Sequence, residues 1–243
     1  MRKRTRQGLW VTLSGLVVLV PSAEFARPAA AQNPEMQQKV ADVKVVIATN
    51  KQALAQYTWA EQDTISIKGE VKKQEHFQVR LGPDGKNQKT SLDPPPSDDE
   101  SGGRLKRHIV AKKKEEYKDY ADQIKSLIQQ YVPPEREMIQ QAYDKGNIMM
   151  GPAGGAPGET KLVFSNYVKQ GDNMTLVFDK AQMAILSLSI NTYLNDPSDA
   201  VSVTVEFARI PGGPNHISGQ TINGASKHLT IAVQNSNYQQ LQM

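Results

Sequence analysis

The chain has 243 residues, with 29 basic and 25 acidic side chains, a formal net charge of +4 and no cysteine. The lack of cysteine excludes disulfides, thiol redox chemistry, cysteine-ligated metals and lipidation of an N-terminal Cys. The positive excess does not point to nucleic acid: five basic residues (Arg2, Lys3, Arg4, Arg6, Arg27) and one acid (Glu24) fall in residues 1–31, leaving 24 of each sign in residues 32–243.

Those first 31 residues read as a cleavable export signal. A basic stretch (Met1 to Gln7) precedes an uncharged run, Leu9 to Val20, then Pro21 and a small-residue site, Ala29-Ala30-Ala31. The run of 12 is short for a membrane span, which needs about 20 apolar residues. Retention as an N-terminal anchor is the alternative; cleavage leaves no stable membrane span. Residues 32–243 suffice for one domain with its own core. Export, neutrality and the absence of cysteine together fit a bacterial periplasm best.

Met36 to Thr58 reads as an amphipathic helix, with Met36, Val40, Val43, Ile47, Leu54 and Tyr57 on one face and Lys39, Asp42, Lys44 and Lys51 on the solvated one. Pro34 suits its first turn. Period two follows: Ile65, Ile67, Gly69 and Val71, then Phe77, Val79 and Leu81, alternate with polar residues. Gly82-Pro83-Asp84-Gly85 is a turn, and Lys86 to Leu92 a returning strand.

Asp93 to Gly103 is a Pro-, Gly- and acid-rich loop. A second helix is predicted over Arg104 to Tyr131, with Tyr117, Tyr120, Ile124, Leu127, Ile128 and Tyr131 as its apolar stripe; its tyrosine hydroxyls must reach water or a partner. A third helix spans Glu135 to Lys145, and Gly146 to Glu159 is a second flexible loop. From Thr160 the chain reads as about six strands, with Ala184, Leu186, Leu188 and Ile190 forming one apolar face and Val201, Val203, Val205 and Phe207 another. Strands apolar on one side need cover, and the helices supply it. The expected fold is α+β: a curved antiparallel sheet, an incomplete β-barrel, wrapped over two or three helices as a single domain, 32–243, with flexible loops at 93–103 and 146–159.

Signals for chemistry are sparse. There is no Gly-x-Ser-x-Gly elbow and no Ser-x-x-Lys after the leader. His76, His108, His216 and His228 stand at no ligand spacing, so no metal or cofactor is expected. Gly151 to Gly158 lacks the ending of a phosphate loop and precedes a strand. The basic cluster Arg104, Lys106, Arg107, His108, Lys112, Lys113 and Lys114 is followed at once by acids, the mixture of a solvated helix face. Met149-Met150 is an apolar pair suited to plugging the sheet end or to a loop or lid contact.

Tyr57-Thr58-Trp59 leading into a first strand, then GEVKKQEHFQVRLGPDGKNQKT (69–90), resembles the periplasmic lipoprotein-carrier superfamily (LolA/LolB-like). TLVFDKAQMAILSLSINTYL (175–194) is similar to that family's strand, Asp-turn, strand pairing. The resemblance implies an unclosed barrel with helices as a lid over an apolar cavity for acyl chains or another lipid, with Arg80 and Arg209 as candidates for the lid-latching arginine. No Cys follows the leader, so a membrane-anchored acceptor is excluded.

The expected function is that of a soluble periplasmic binding or carrier protein for a hydrophobic small molecule or acyl chain. Its candidate ligand residues are Ile65, Ile67, Val71, Phe77, Val79, Leu81, Leu176, Phe178, Leu186, Leu188 and Ile190. The alternative is a non-enzymatic structural or interaction protein whose barrel is plugged by its own helices, docking an envelope protein. Plain core packing is the competing role for each apolar residue.

Overall fold

A computed structural model describes residues 33–94 and 104–241. The predicted leader (1–31) and most of the acidic loop (95–103) lie outside the described residues, as do the side chains of Arg104, Lys106, Arg107 and His108.

Asn33 starts α1 (Pro34–Leu54) by accepting the Glu35 and Met36 N–H groups at 2.9 and 3.3 Å, ahead of Pro34. The helix ends at Leu54, short of the predicted Thr58, because Tyr57 already pairs with Gln240 across the sheet. Its buried stripe is Met36, Val40, Val43 and Val46, and Lys39, expected in solvent, is buried beside it. Strands β1 (Tyr57–Ile67) and β2 (Glu70–Leu81) form a hairpin on Lys68-Gly69, with φ of 53° and 80°. Two successive positive-φ residues are what a tight two-residue hairpin demands, and Gly69 takes the second without strain. The stretch Ile65 to Val71, read as one strand, is therefore a turn between two.

Strand β3 (Asn87–Ser91) returns along β2, and α2 (Arg104–Ile128) and α3 (Arg136–Asp144) follow. Strand β4 (Ile148–Pro152) lies inside the segment predicted as loop, paired to β5 (Glu159–Ser165) from Ile148–Phe164 to Pro152–Thr160. Then come β6 (Asn173–Asp179), β7 (Ala184–Tyr193), β8 (Ala200–Arg209), β9 (Asn215–Gly224) and β10 (Leu229–Gln240). All ten strands form one antiparallel sheet in the order β3-β2-β1-β10-β9-β8-β7-β6-β5-β4. The chain's two halves meet where β1 pairs with β10, while β3 and β4 remain unpaired edges. The fold is thus α+β, a curved, unclosed sheet with three helices among the described residues.

The register lines up one apolar row across eight strands: Ile148, Phe164, Met174, Ile190, Val203, Ile222, Ile231 and Ile65 face one another in turn. The helices pack on that concave face through Val40, Val43, Ile124, Leu127, Ile128 and Ile139. Burying each such side chain contributes about 1.5–3 kcal/mol, so this layer dominates stability.

Candidate binding site on the concave face

A second row shows where the concave surface changes character. Leu162, Leu176, Leu188 and Val205 are apolar; their successors in register are Gln220, Val233, Asp63 and Glu75. One end of the trough is hydrocarbon and the other is polar.

The sequence-predicted residues divide along this line. Val79, Leu176, Phe178, Leu188 and Ile190 are buried. All but Val79 belong to the layer packed against the helices, and Ile65 and Ile67 are half-buried beside it. Phe77 and Leu81 are half-buried on β2. Val71 is 63% exposed: Ile65 pairs with Lys73 and Ser66 with Val71, so Lys72 is an extra residue and the strand changes face there. A bulge also separates Leu186 from the core. Val177 pairs with Ser187 and Phe178 with Ile185, which puts Ile185, not Leu186, on the inner face. Met150 packs against the core, whereas Met149 is 62% exposed.

The second half of helix α2 packs on the trough and is held in different ways at its middle and at its C-terminal end. Just after its C-terminal end, Tyr131 is fully buried; its hydroxyl donates to Asp172 Oδ2 at 2.5 Å and lies 2.9 Å from Thr192 Oγ1. The Asp172 carboxylate also accepts the N–H groups of Tyr167, Val168 and Lys169 at 2.6, 3.0 and 2.8 Å. At the middle of the helix the ties lie at the rim: Tyr120 Oη donates to Asp199 Oδ1 at 2.8 Å, and Lys227 pairs with Glu116. Burial and the adjacent Asp199 push the Tyr120 hydroxyl up to about 12. Among the described residues the two candidate arginines bond elsewhere: Arg80 to Gln88 at 3.2 Å, and Arg209 to the Gln182 carbonyl at 2.9 Å.

Gly224 is the contact point under α2. A Cβ there would lie 2.6 Å from Ile124 Cδ1 and 2.8 Å from Tyr120. Gly224→Ala is therefore expected to cost about 1–3 kcal/mol by overpacking. Hydrogen exchange checks the location, since amides of residues 117–128 should accelerate more than those of β5–β7.

Sequence reasoning missed the polar end. Glu61 and Asp63 are buried on the inner face of β1, 4% and 3% exposed, with Lys89 of β3 paired to Glu61 and 3.6 Å from Asp63. Burial raises the Glu61 pKa, only partly offset by Lys89. The available signal was parity: Trp59, Glu61, Asp63, Ile65 and Ile67 fall on alternate positions of one strand. Trp59 stacks on Tyr238 at 5.4 Å between centroids, and Tyr238 meets His216 at 4.0 Å. Burial lowers the His216 pKa, favouring a neutral imidazole.

His76 bonds Asp93 through Nδ1 at 2.9 Å, and His228 occupies a positive-φ turn, φ 48°. Among the described residues no three His, Asp or Glu side chains converge as a metal-binding group. Cavities of about 470 and 410 Å³ lie at the rim, the larger beside Asn191, Ser202, Asn223 and Gly224 and the smaller beside Asp122, Leu127 and Lys169. No helix among the described residues is long and apolar enough to cross a membrane.

No family profile and no curated protein matches the sequence. Among solved structures, the chain is similar to a DUF1329 family protein from Desulfovibrio piger ATCC 29098, at 12% identity and a TM-score of 0.44, covering 84% of this chain and 92% of that one. It is also similar to a LolA superfamily protein from Nitrosomonas europaea, at 7% identity and a TM-score of 0.38, covering 83% of this chain and 94% of that one.

Proposed function

We propose that this protein is a non-enzymatic carrier of a hydrophobic ligand, exported to a bacterial periplasm, with α2 as the part displaced on loading. The observation that carries the reading is the unequal fastening of α2 over the hydrocarbon end of the trough. Tyr131 anchors the C-terminal end in a fully buried hydrogen-bond network, whereas the middle of the helix is tied by rim contacts, Tyr120 to Asp199 and Glu116 to Lys227. An acyl chain entering the hydrocarbon end would replace apolar helix side chains with its own methylenes, each worth about 0.8 kcal/mol when buried. The leader supports export.

The helix-plugged interaction protein is the second reading. It is favoured by the complete burial of Phe164, Met174, Leu176, Phe178 and Leu188 in the helix-covered state. Native mass spectrometry of residues 32–243 purified from a periplasm, with fluorescent fatty-acid binding to wild type and Tyr120→Phe, separates the two. The carrier predicts a co-purifying lipid mass and faster probe uptake by Tyr120→Phe. A bare mass with no probe bound by either form would establish the plug instead.

A further inference from the structure

Five buried polar atoms without a hydrogen-bond partner fall on β1, β9 and β10: Trp59 Nε1, Asp63 Oδ1, Asn235 Oδ1, Asn215 Oδ1 and His216 Nδ1. Buried polar groups are ordinarily paired, so this concentration calls for partners that the protein itself does not supply. The register brings its central members together. Asn235 stands directly across from Glu61, and Trp59 and Asp63 flank Glu61 on the inner face of the same strand. Asn235 Nδ2 and Tyr238 Oη both donate to the Ile217 carbonyl, at 3.1 Å each, which leaves Asn235 Oδ1 free as an acceptor.

The charge count specifies the guest. Two carboxylates more than nine-tenths buried share one lysine, whose side chain is 36% exposed and reaches across from the edge strand β3. Every residue of β3 is exposed, so Lys89 can swing away without opening the core. The unmet needs are mainly for hydrogen-bond donors: Asp63 Oδ1 and the two asparagine oxygens accept, and only the Trp59 indole must donate. A carboxylate pair short of positive charge and acceptors short of donors call for one group, an ammonium or guanidinium.

We propose that Glu61, Asp63 and Asn235 form a binding site for an organic cation, with Lys89 as its internal stand-in. Resting on the carrier reading for the tail alone, the position at the polar end of the apolar trough makes the ligand an amphiphile with an amine headgroup. Calorimetric titration of the full mature chain tests this with dodecylamine, lauric acid and propylamine, each far below micelle formation. Dodecylamine should bind at least about tenfold tighter than lauric acid, the size of one charge-assisted contact. Asp63→Asn should erase that preference, and Lys89→Gln should tighten amine binding several-fold by removing the competitor. The comparison on wild type stands even if a variant fails to fold. Equal binding of dodecylamine and lauric acid overturns the headgroup site while leaving the carrier intact. Propylamine binding as tightly as dodecylamine, with the Asp63 dependence kept, upholds the site and defeats the carrier. Failure of both amines to bind overturns the inference.

Discussion

Asp172→Ala is expected to lower stability by about 3–5 kcal/mol, the range for removing one member of a buried, charged network. Asp172 is 3% exposed and receives four donors: the Tyr131 hydroxyl and the amides of Tyr167, Val168 and Lys169. Truncation orphans the three amides at once and leaves the Tyr131 hydroxyl with Thr192 Oγ1 alone; a buried donor left unpaired costs about 1–3 kcal/mol. For a domain of this size each kcal/mol moves Tm by about 2–4 °C, so the melting point should fall by roughly 6–20 °C. Tyr131→Phe removes one of the four contacts and should cost about 1–3 kcal/mol. Denaturant unfolding of the two variants and the double mutant checks the network, because coupled partners give losses that do not add. Additive losses, or an Asp172→Ala cost near that of a surface substitution, would sink the view that this carboxylate fixes the base of α2.

Much of this arrangement is legible in the chain because periodicity survives folding wherever an element is regular. The period-two runs of β6, β8 and β10 put Leu176, Val203 and Ile231 on the inner face with no help from tertiary structure. Period two fails at bulges, where one inserted residue reverses every later side chain. That is why Leu186 and Val71 read as inward and are not, and why periodicity passes over Ile185. Gly151 and Pro152 disguise β4 as loop; an edge strand tolerates them because only one side is paired. The polar end of the trough escapes for a different reason. Glu61 and Asp63 stand on the correct parity, but charged residues are read as outward by default, and their counter-ion, Lys89, lies two strands away. Only strand order brings those three together.

Alkaline pH should unfold this protein cooperatively. Four of its eight tyrosines, Tyr120, Tyr131, Tyr167 and Tyr238, have hydroxyls pushed well above the ordinary value of 10.0, to about 12 for Tyr120 and higher for the rest. Burial is the main cause in each case; Asp199 adds to it at Tyr120, Asp172 at Tyr131, and Glu61 at Tyr238. Because the folded pKa is the higher, the folded state keeps protons that the unfolded state gives up above about pH 10. Stability is therefore whole below that value and declines as pH climbs towards the folded values. Raising a pKa by one is worth about 1.4 kcal/mol, so Tyr120 alone contributes at most roughly 2–3 kcal/mol, reduced by solvent screening at the rim. Denaturant midpoints at about pH 8 and about pH 11 should fall steeply between the two. The phenolate absorbance of these four should rise together with the loss of far-ultraviolet dichroism. Gradual ionisation of all eight tyrosines near pH 10 with the helices intact would show that these hydroxyls are open to solvent, and that α2 does not seal the trough.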